Sequence, residues 1–227
     1  MNPLATVQLP AAPKNASPVP HLTSIHSTVA RGDYGDARYP GNCSGQIIKD
    51  LLLFSQPKSV FDPMTGSGTC KDVCAELKIP CVSGDVKAGF DASDPASYGR
   101  EARFDFIWIH PPYWRMKIYG PDPRCLSNAP DMASFYLRLH RVIANCKGIL
   151  APHGKLAILM GDYHDAKLGK MVPCTHITRH AAYELGLWPA CTEIVRFQHG
   201  NSSSKKTYSS SFIPGLHDVC MIFKKAQ

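Results

Sequence analysis

Ser59-Val60-Phe61-Asp62-Pro63-Met64-Thr65-Gly66-Ser67-Gly68-Thr69 decides how this chain is read. Ser59 to Asp62 is a short apolar strand that ends at a proline. The glycine-rich turn after it leads into Cys70–Leu77, whose spacing predicts a helix. Strand, glycine turn and helix together aim backbone N–H groups and a helix N-terminus at a ligand. Gly66 and Gly68 let that ligand approach the backbone closely. A lone G-x-G recurs in many loops. Here the Asp62-Pro63 lead-in and the following helix narrow the reading to a binding turn.

Working outward, Pro80-Cys81-Val82-Ser83-Gly84-Asp85 is a second short strand with an acidic tip. In nucleotide-binding α/β folds a carboxylate there accepts hydrogen bonds from ribose hydroxyls. Asp85 follows Gly68 at close to the expected spacing of roughly 20 residues. Asp91 and Asp94 come next in turn-rich sequence, where either could meet an adenine amine or cap a helix; capping suits Asp94 better. A third strand, Phe104-Asp105-Phe106-Ile107-Trp108-Ile109, stops abruptly at His110-Pro111-Pro112-Tyr113-Trp114. Two prolines followed by an aromatic ring form a rigid tip suited to a flat ligand such as a nucleobase, or else a proline-rich surface loop.

The remaining segments frame these tips. Residues 1 to about 25, rich in Pro, Ala and Ser, read as a disordered or loosely attached arm. Residues 26–227 then form a single domain, a size suited to one α/β core. Residues 31–45 form a polar loop, with Ser44 as the N-cap of a helix over Gln46–Phe54. Arg115 to Pro130 has no period and reads as a loop. Met132–Ile149 is the strongest helix, burying Phe135, Leu139, Val142, Ile143 and Cys146. Leu150–Gly154 reads as a turn before a strand over Lys155–Met160, with Thr175–Leu185 as a further helix. Glu193–Gln198 and Asp218–Phe223 read as strands pairing antiparallel across a Ser/Lys loop. Alternating strands and helices predict a doubly wound α/β sheet that ends in an antiparallel hairpin.

Composition excludes several classes. No apolar run approaches the ~20 residues that span a bilayer, so no membrane contact is expected. Prolines at 3, 10, 13 and 18 interrupt any signal-peptide core, which points to a cytoplasmic protein, nucleoid-associated if bacterial. Nine cysteines at irregular spacing argue against a disulfide framework. Cys70, Cys74 and Cys81 are close in sequence, but without a second ligand pair they read as buried thiols and no metal is expected. The net charge of +7 is compatible with a polyanionic partner without demanding one.

Taken together, Phe61-Asp62-Pro63-Met64-Thr65-Gly66-Ser67-Gly68-Thr69 resembles the S-adenosylmethionine-binding motif of DNA amino-methyltransferases, usually D-P-F-x-G-S-G-T. His110-Pro111-Pro112-Tyr113 resembles their catalytic motif, D/N/S-P-P-Y or -W, and the likeness runs from about Arg31 to the C-terminus. It implies a Rossmann-like class I methyltransferase fold with a mostly parallel doubly wound sheet. S-adenosylmethionine is the implied cofactor, bound by Tyr39, Asn42, Ser44, Asp62, Pro63, Met64, Gly66, Ser67, Gly68, Thr69 and Asp85. The implied substrate is DNA, methylated on cytosine N4 or adenine N6, with the target base flipped out. The catalytic set is His110, Pro111, Pro112 and Tyr113. Trp114, Arg115, Lys117, Arg124, Lys205 and Lys206 are the expected DNA contacts.

The chemistry accounts for these residue types. An exocyclic amine is a weak nucleophile because its lone pair is delocalised into the ring. Acceptors on its protons, here the side chain at 110 and the Pro111 carbonyl, would localise that pair, while Tyr113 stacks on the base. The departure is His110, where the family has Asp, Asn or Ser. Neutral imidazole has one acceptor nitrogen and imidazolium has none, so methyl transfer is expected to fall as pH drops through the histidine pKa. Trp114 tilts the target toward cytosine. The chain has no room for a separate target-recognition domain, so relaxed specificity, a homodimer or a specificity-supplying partner protein is expected. The rival readings are an RNA or other nitrogen-directed methyltransferase and a catalytically silent binding homologue. A dehydrogenase is disfavoured, since the third glycine of G-x-G-x-x-G is missing.

Overall fold

The computed structural model describes residues 17–28, 30–99, 101–197, 213 and 215–226. Strands β1 (Ile25–His26), β2 (Val60–Asp62), β3 (Cys81–Ser83), β4 (Phe104–Ile109) and β5 (Leu150–Met160) precede two short strands, β6 (Tyr163–Asp165) and β7 (Lys170–Val172). β8 (Leu187–Pro189), β9 (Ile194–Phe197) and β10 (His217–Lys225) follow, and the helices are α1 (Gly45–Ser55), α2 (Thr69–Leu77), α3 (Met132–Ile149) and α4 (Cys174–Glu184). The main sheet runs β1-β9-β10-β5-β4-β2-β3, with β8 also on β10. β3, β2, β4 and β5 are parallel, while β10 is antiparallel to β5 and to β9. The doubly wound sheet with its antiparallel C-terminal hairpin is therefore as expected.

Both faces of this sheet are covered, so its central strands read as continuous apolar runs. Phe106 and Trp108 of β4 pack with Ala157 and Leu159 of β5 against α1 and α2. Ile107 and Ile109 turn the other way with Leu156, Ile158 and Met160, against α3 and α4. That is the strand's two-residue alternation serving two cores. α3 buries the five residues its periodicity marked, and Asp131 caps it by accepting the Ser134 N–H at 2.7 Å.

Four features differ from the sequence expectation. Residues 150–154 continue β5 instead of turning, with a register shift opposite Phe104/Phe106 where Gly154 packs beneath the Phe104 carbonyl. β6 and β7 form a separate antiparallel pair, too short to show a period. β1 pairs parallel with β9, and His26 is buried against Asp50 at 3.0 Å. The N-terminal boundary thus moves: residues 17–25 belong to the fold, with Val19 in its core, while 1–16 lie outside the described residues.

After β2 the chain goes out to β3 on one side, then crosses back to β4 on the other side of β2. The carboxyl ends of β2 and β4 therefore flank a topological switch point, where open α/β sheets bind ligands.

Candidate active site

The two motif tips open into one cavity of about 910 Å³, near the upper end of the usual range for small-molecule sites. Its walls carry Tyr39, Asn42, Ser44, Asp62, Pro63, Met64, Gly66, Ser67, Thr69 and Asp85 from the expected cofactor set. His110, Pro111, Pro112 and Tyr113 line it as well. Gly68 is the exception: at φ 92° it is the N-cap of α2 and does not face the cavity.

The glycine turn is tied down from both ends. Asp62 Oδ1 accepts the Met64 N–H at 3.0 Å, Thr65 N–H reaches the Gly84 carbonyl at 2.9 Å, and Gly84 N–H the Asp62 carbonyl at 2.8 Å. Asp85 accepts from the backbone of Gly66 at 3.1 Å and Lys87 at 2.9 Å. Each of those carboxylate oxygens keeps acceptor capacity for a ligand hydroxyl. Loop 31–44 folds over the turn: Thr69 Oγ1 donates to Asn42 Oδ1, and Asp72 accepts the Gly35 N–H at 2.7 Å. Tyr39 stacks on Tyr119 with centroids 5.9 Å apart, closing the roof between two loops. Ser44 caps α1 as expected, accepting from Gln46 N–H. Asp91 accepts from Ser93 and Asp94 from the Ala96 N–H, so both serve turns.

At the opposite wall, His110 Nε2 lies 3.1 Å from Tyr113 Oη, and the rings meet edge to face. His110 keeps an open edge on the cavity, yet protein encloses it deeply enough that desolvation pushes its pKa down to about 4. Asp218 raises that pKa and Arg196 lowers it, two opposing influences from one ion pair. Nothing in the sequence singled out that pair, because β9 and β10 reach the site only through the sheet order. Burial likewise drives Asp62 up to about 8, keeping it protonated near neutrality.

Six buried side-chain polar atoms lack a partner among the described residues, and four of them belong to cavity-lining residues: His26 Nδ1, Arg31 Nη2, Thr65 Oγ1 and Arg196 Nε. Orphaned polar groups cost ~1–3 kcal/mol each, and their concentration in one cavity marks a site that a polar ligand completes.

The expected DNA contacts fare less evenly. Trp114 is 3% exposed, donates its Nε1–H to the Ala129 carbonyl at 2.8 Å and packs on Phe135. It is core and not a base platform. Arg115 lies over Trp114 and pairs bidentately with Asp165, at 2.7 and 3.1 Å. That pairing commits its guanidinium to the β6–β7 hairpin instead of phosphate. Arg124 lines the cavity but pairs with Asp122, and Lys117 is exposed away from the cavity. Lys205 and Lys206 lie outside the described residues. No helix among the described residues is long and apolar enough to cross a membrane.

No protein-family model matches this chain, and no curated protein does. Solved structures do. TrmN from Thermus thermophilus superposes over 82% of the chain and 50% of its own length, at 16% identity and a TM-score of 0.53. A candidate DNA modification methylase, also from Thermus thermophilus and solved with S-adenosyl-L-methionine, matches 60% of the chain and 54% of its own, at 23% identity and a TM-score of 0.44. The 1,6-didemethyltoxoflavin-N1-methyltransferase of Burkholderia thailandensis matches 81% and 77%, at 14% identity and a TM-score of 0.47. The chain spans about half the length of the first two. At these identities the likeness is one of fold alone, a Rossmann-like α/β sheet.

Proposed function

We propose that this chain is an S-adenosylmethionine-dependent methyltransferase acting on an exocyclic amine of a DNA base, cytosine N4 or adenine N6. The observation that carries the reading is convergence. The glycine turn after β2, Asp85 after β3 and His110-Pro111-Pro112-Tyr113 after β4 line one cavity at the switch point.

The donor set suits the cofactor. Arg31 Nη2 is a buried donor without a partner among the described residues, as a carboxylate requires, and Asp85 offers acceptors for a ribose diol. When bound, S-adenosylmethionine supplies a methyl group on a sulfonium, open to in-line attack by nitrogen. The protein's part is to hold and polarise that nitrogen. The Pro111 carbonyl, its direction fixed by proline's restricted φ, accepts from one amine proton. His110 accepts from the other only as neutral imidazole with Nε2–H donating to Tyr113 Oη, leaving Nδ1 as the acceptor. Tyr113, 9% exposed, offers the base a small part of its ring.

The test is to incubate the chain with labelled S-adenosylmethionine and either mixed DNA or RNA, followed by nucleoside mass spectrometry. N4-methylcytosine or N6-methyladenine is expected in the DNA, falling at least about 100-fold in His110→Ala, as loss of a polarising contact predicts. Label in RNA alone would transfer the reading to an RNA amine. Cofactor binding without transfer to either would identify a silent homologue.

A further inference from the structure

The cysteines of α2 and β3 have no part in the chemistry proposed above. Cys70 and Cys74 sit one helical turn apart on the buried face of α2, so their side chains point the same way. The chain then turns through an αL cap at Lys78 and returns as β3, whose first residue is Cys81. The three Sγ atoms all lie within 4.8 Å of one another. Spacing in the sequence could not show this, because Cys81 joins the other two only through the packing of β3 beside α2.

We propose that Cys70, Cys74 and Cys81 form a binding site for a thiophilic divalent cation of the Zn²⁺ type. With Zn–S bonds of about 2.3 Å in tetrahedral geometry, ligand sulfurs stand about 3.8 Å apart, so closure needs movements of only about 1 Å. Cys70 and Cys74 are buried on a helix and Cys81 is partly exposed at a strand end. That arrangement provides two fixed ligands and an entry side. Ser83 Oγ, 3.7 Å from Cys81 Sγ, lines that entry. The fourth coordination position would be left to water or an outside ligand.

Charge favours a divalent ion. Binding replaces three thiol protons, released to solvent, with three metal–sulfur bonds: Zn²⁺ plus three RSH gives an [Zn(SR)₃]⁻ centre and three H⁺. The single negative charge that remains is one that Lys71, which acts on Cys81 electrostatically, can offset. A monovalent ion on three thiolates would leave two negative charges on a cluster whose Cys70 and Cys74 are buried, where uncompensated charge is costly.

The site would also clamp the cofactor cavity from behind. α2 begins at the glycine turn, β3 runs into Asp85, and Cys70 itself lines the cavity. This inference is independent of the methyl-transfer reading, and its test does not use activity.

The full chain, reduced with a non-thiol phosphine, is mixed with Zn²⁺, desalted, and its metal content measured. Wild type and Cys191→Ser, which removes a lone exposed thiol, are expected to retain one equivalent, and Cys81→Ser and Cys70→Ser none. Cys81→Ser guards against misfolding, since its melting temperature without metal should match wild type. Zn²⁺ should raise the wild-type melting temperature by about 5 °C or more and leave that variant unmoved. Retention untouched by Cys81→Ser, no retention at all, or retention of Cu⁺ but not Zn²⁺ would overturn the proposal. So would loss of two hydrogens on air exposure with no metal retained, which assigns the cluster to disulfide chemistry.

Discussion

Burial sets the charge state of the two ionisable side chains that matter most at the cavity, and each leaves a mark on the pH profile. His110 has a pKa of about 4 in the folded protein, against an ordinary value near 6.5. It is therefore neutral from pH 5.5 to 8, and the fall in methyl transfer expected from an ordinary histidine gives way to a flat profile across that range. Stability shows the other side of the same shift. Above pH 6.5 neither state binds the proton. Below it the unfolded chain does and the folded chain does not, so stability is lost as pH falls from about 6.5 to about 4, by about 3 kcal/mol in all. His110→Asn keeps an acceptor and cannot titrate, so urea unfolding of this variant should lack that loss. Asp62 runs in the opposite sense. Its folded pKa near 8 exceeds the unfolded value of 3.8, so the folded state keeps a proton that the unfolded state releases. Stability falls as pH rises from about 4 to about 8, at roughly 1.4 kcal/mol per unit. Asp62→Asn should match the parent at pH 4 and melt higher at pH 8; a parallel pair of melting curves at the two pH values would remove the protonated carboxyl from the account.

Elements show where local rules and tertiary context disagree. α2 ends on Lys78 at φ 56°, ψ 36°, a left-handed cap that suits glycine. Lys78 is exposed, so Lys78→Gly removes the steric cost at the cap and loses no contact. It should raise stability by about 1 kcal/mol in chemical denaturation, without changing cofactor affinity. The turn after β4 carries a similar strain at Trp114, φ 47°, held there by the Ala129 hydrogen bond and by Phe135. Read in sequence, Trp114 after Pro-Pro-Tyr is an expected DNA contact. Only the fold shows that the chain folds Trp114 back into the α3 core. Trp114→Ala should accordingly cost about 3–5 kcal/mol of stability, measured by denaturation. If it instead left stability intact and abolished DNA binding alone, Trp114 would return to the substrate side. The long helix and the central strands were legible because burial on both faces, or on one helical face, writes a strong pattern. β1, β6, β7 and β8 are two or three residues each and write none.

At the scale of the whole molecule, the switch point was legible from three strand tips, Asp62, Asp85 and His110, because each ends a strand on a chemically distinctive residue. The far wall was not legible. Arg196 and Asp218 enter the cavity from β9 and β10, about 80 residues or more beyond the His110–Tyr113 tip. Their arrival depends on β10 inserting antiparallel between β5 and β9. The charge distribution follows the same logic. A net charge of +7 suggests a broad basic footprint, yet Arg38, Arg115 and Arg124 are each paired with an aspartate. Among the described residues Lys117 and Lys87 are both exposed, and Lys87 lies over the Tyr39 ring at the cavity wall. Each phosphate neutralised contributes a slope of about −0.9 to log K against log salt on duplex DNA. Lys117→Ala should therefore flatten the salt dependence of DNA binding by about one unit. Arg115→Ala should leave that slope unchanged and lower the melting temperature, because it strands the buried Asp165 carboxylate. Titration of a fluorescent duplex across 50–200 mM salt, run beside thermal melts of both variants, separates the two. A slope that drops for Arg115→Ala with no change in melting would put that guanidinium on the DNA after all.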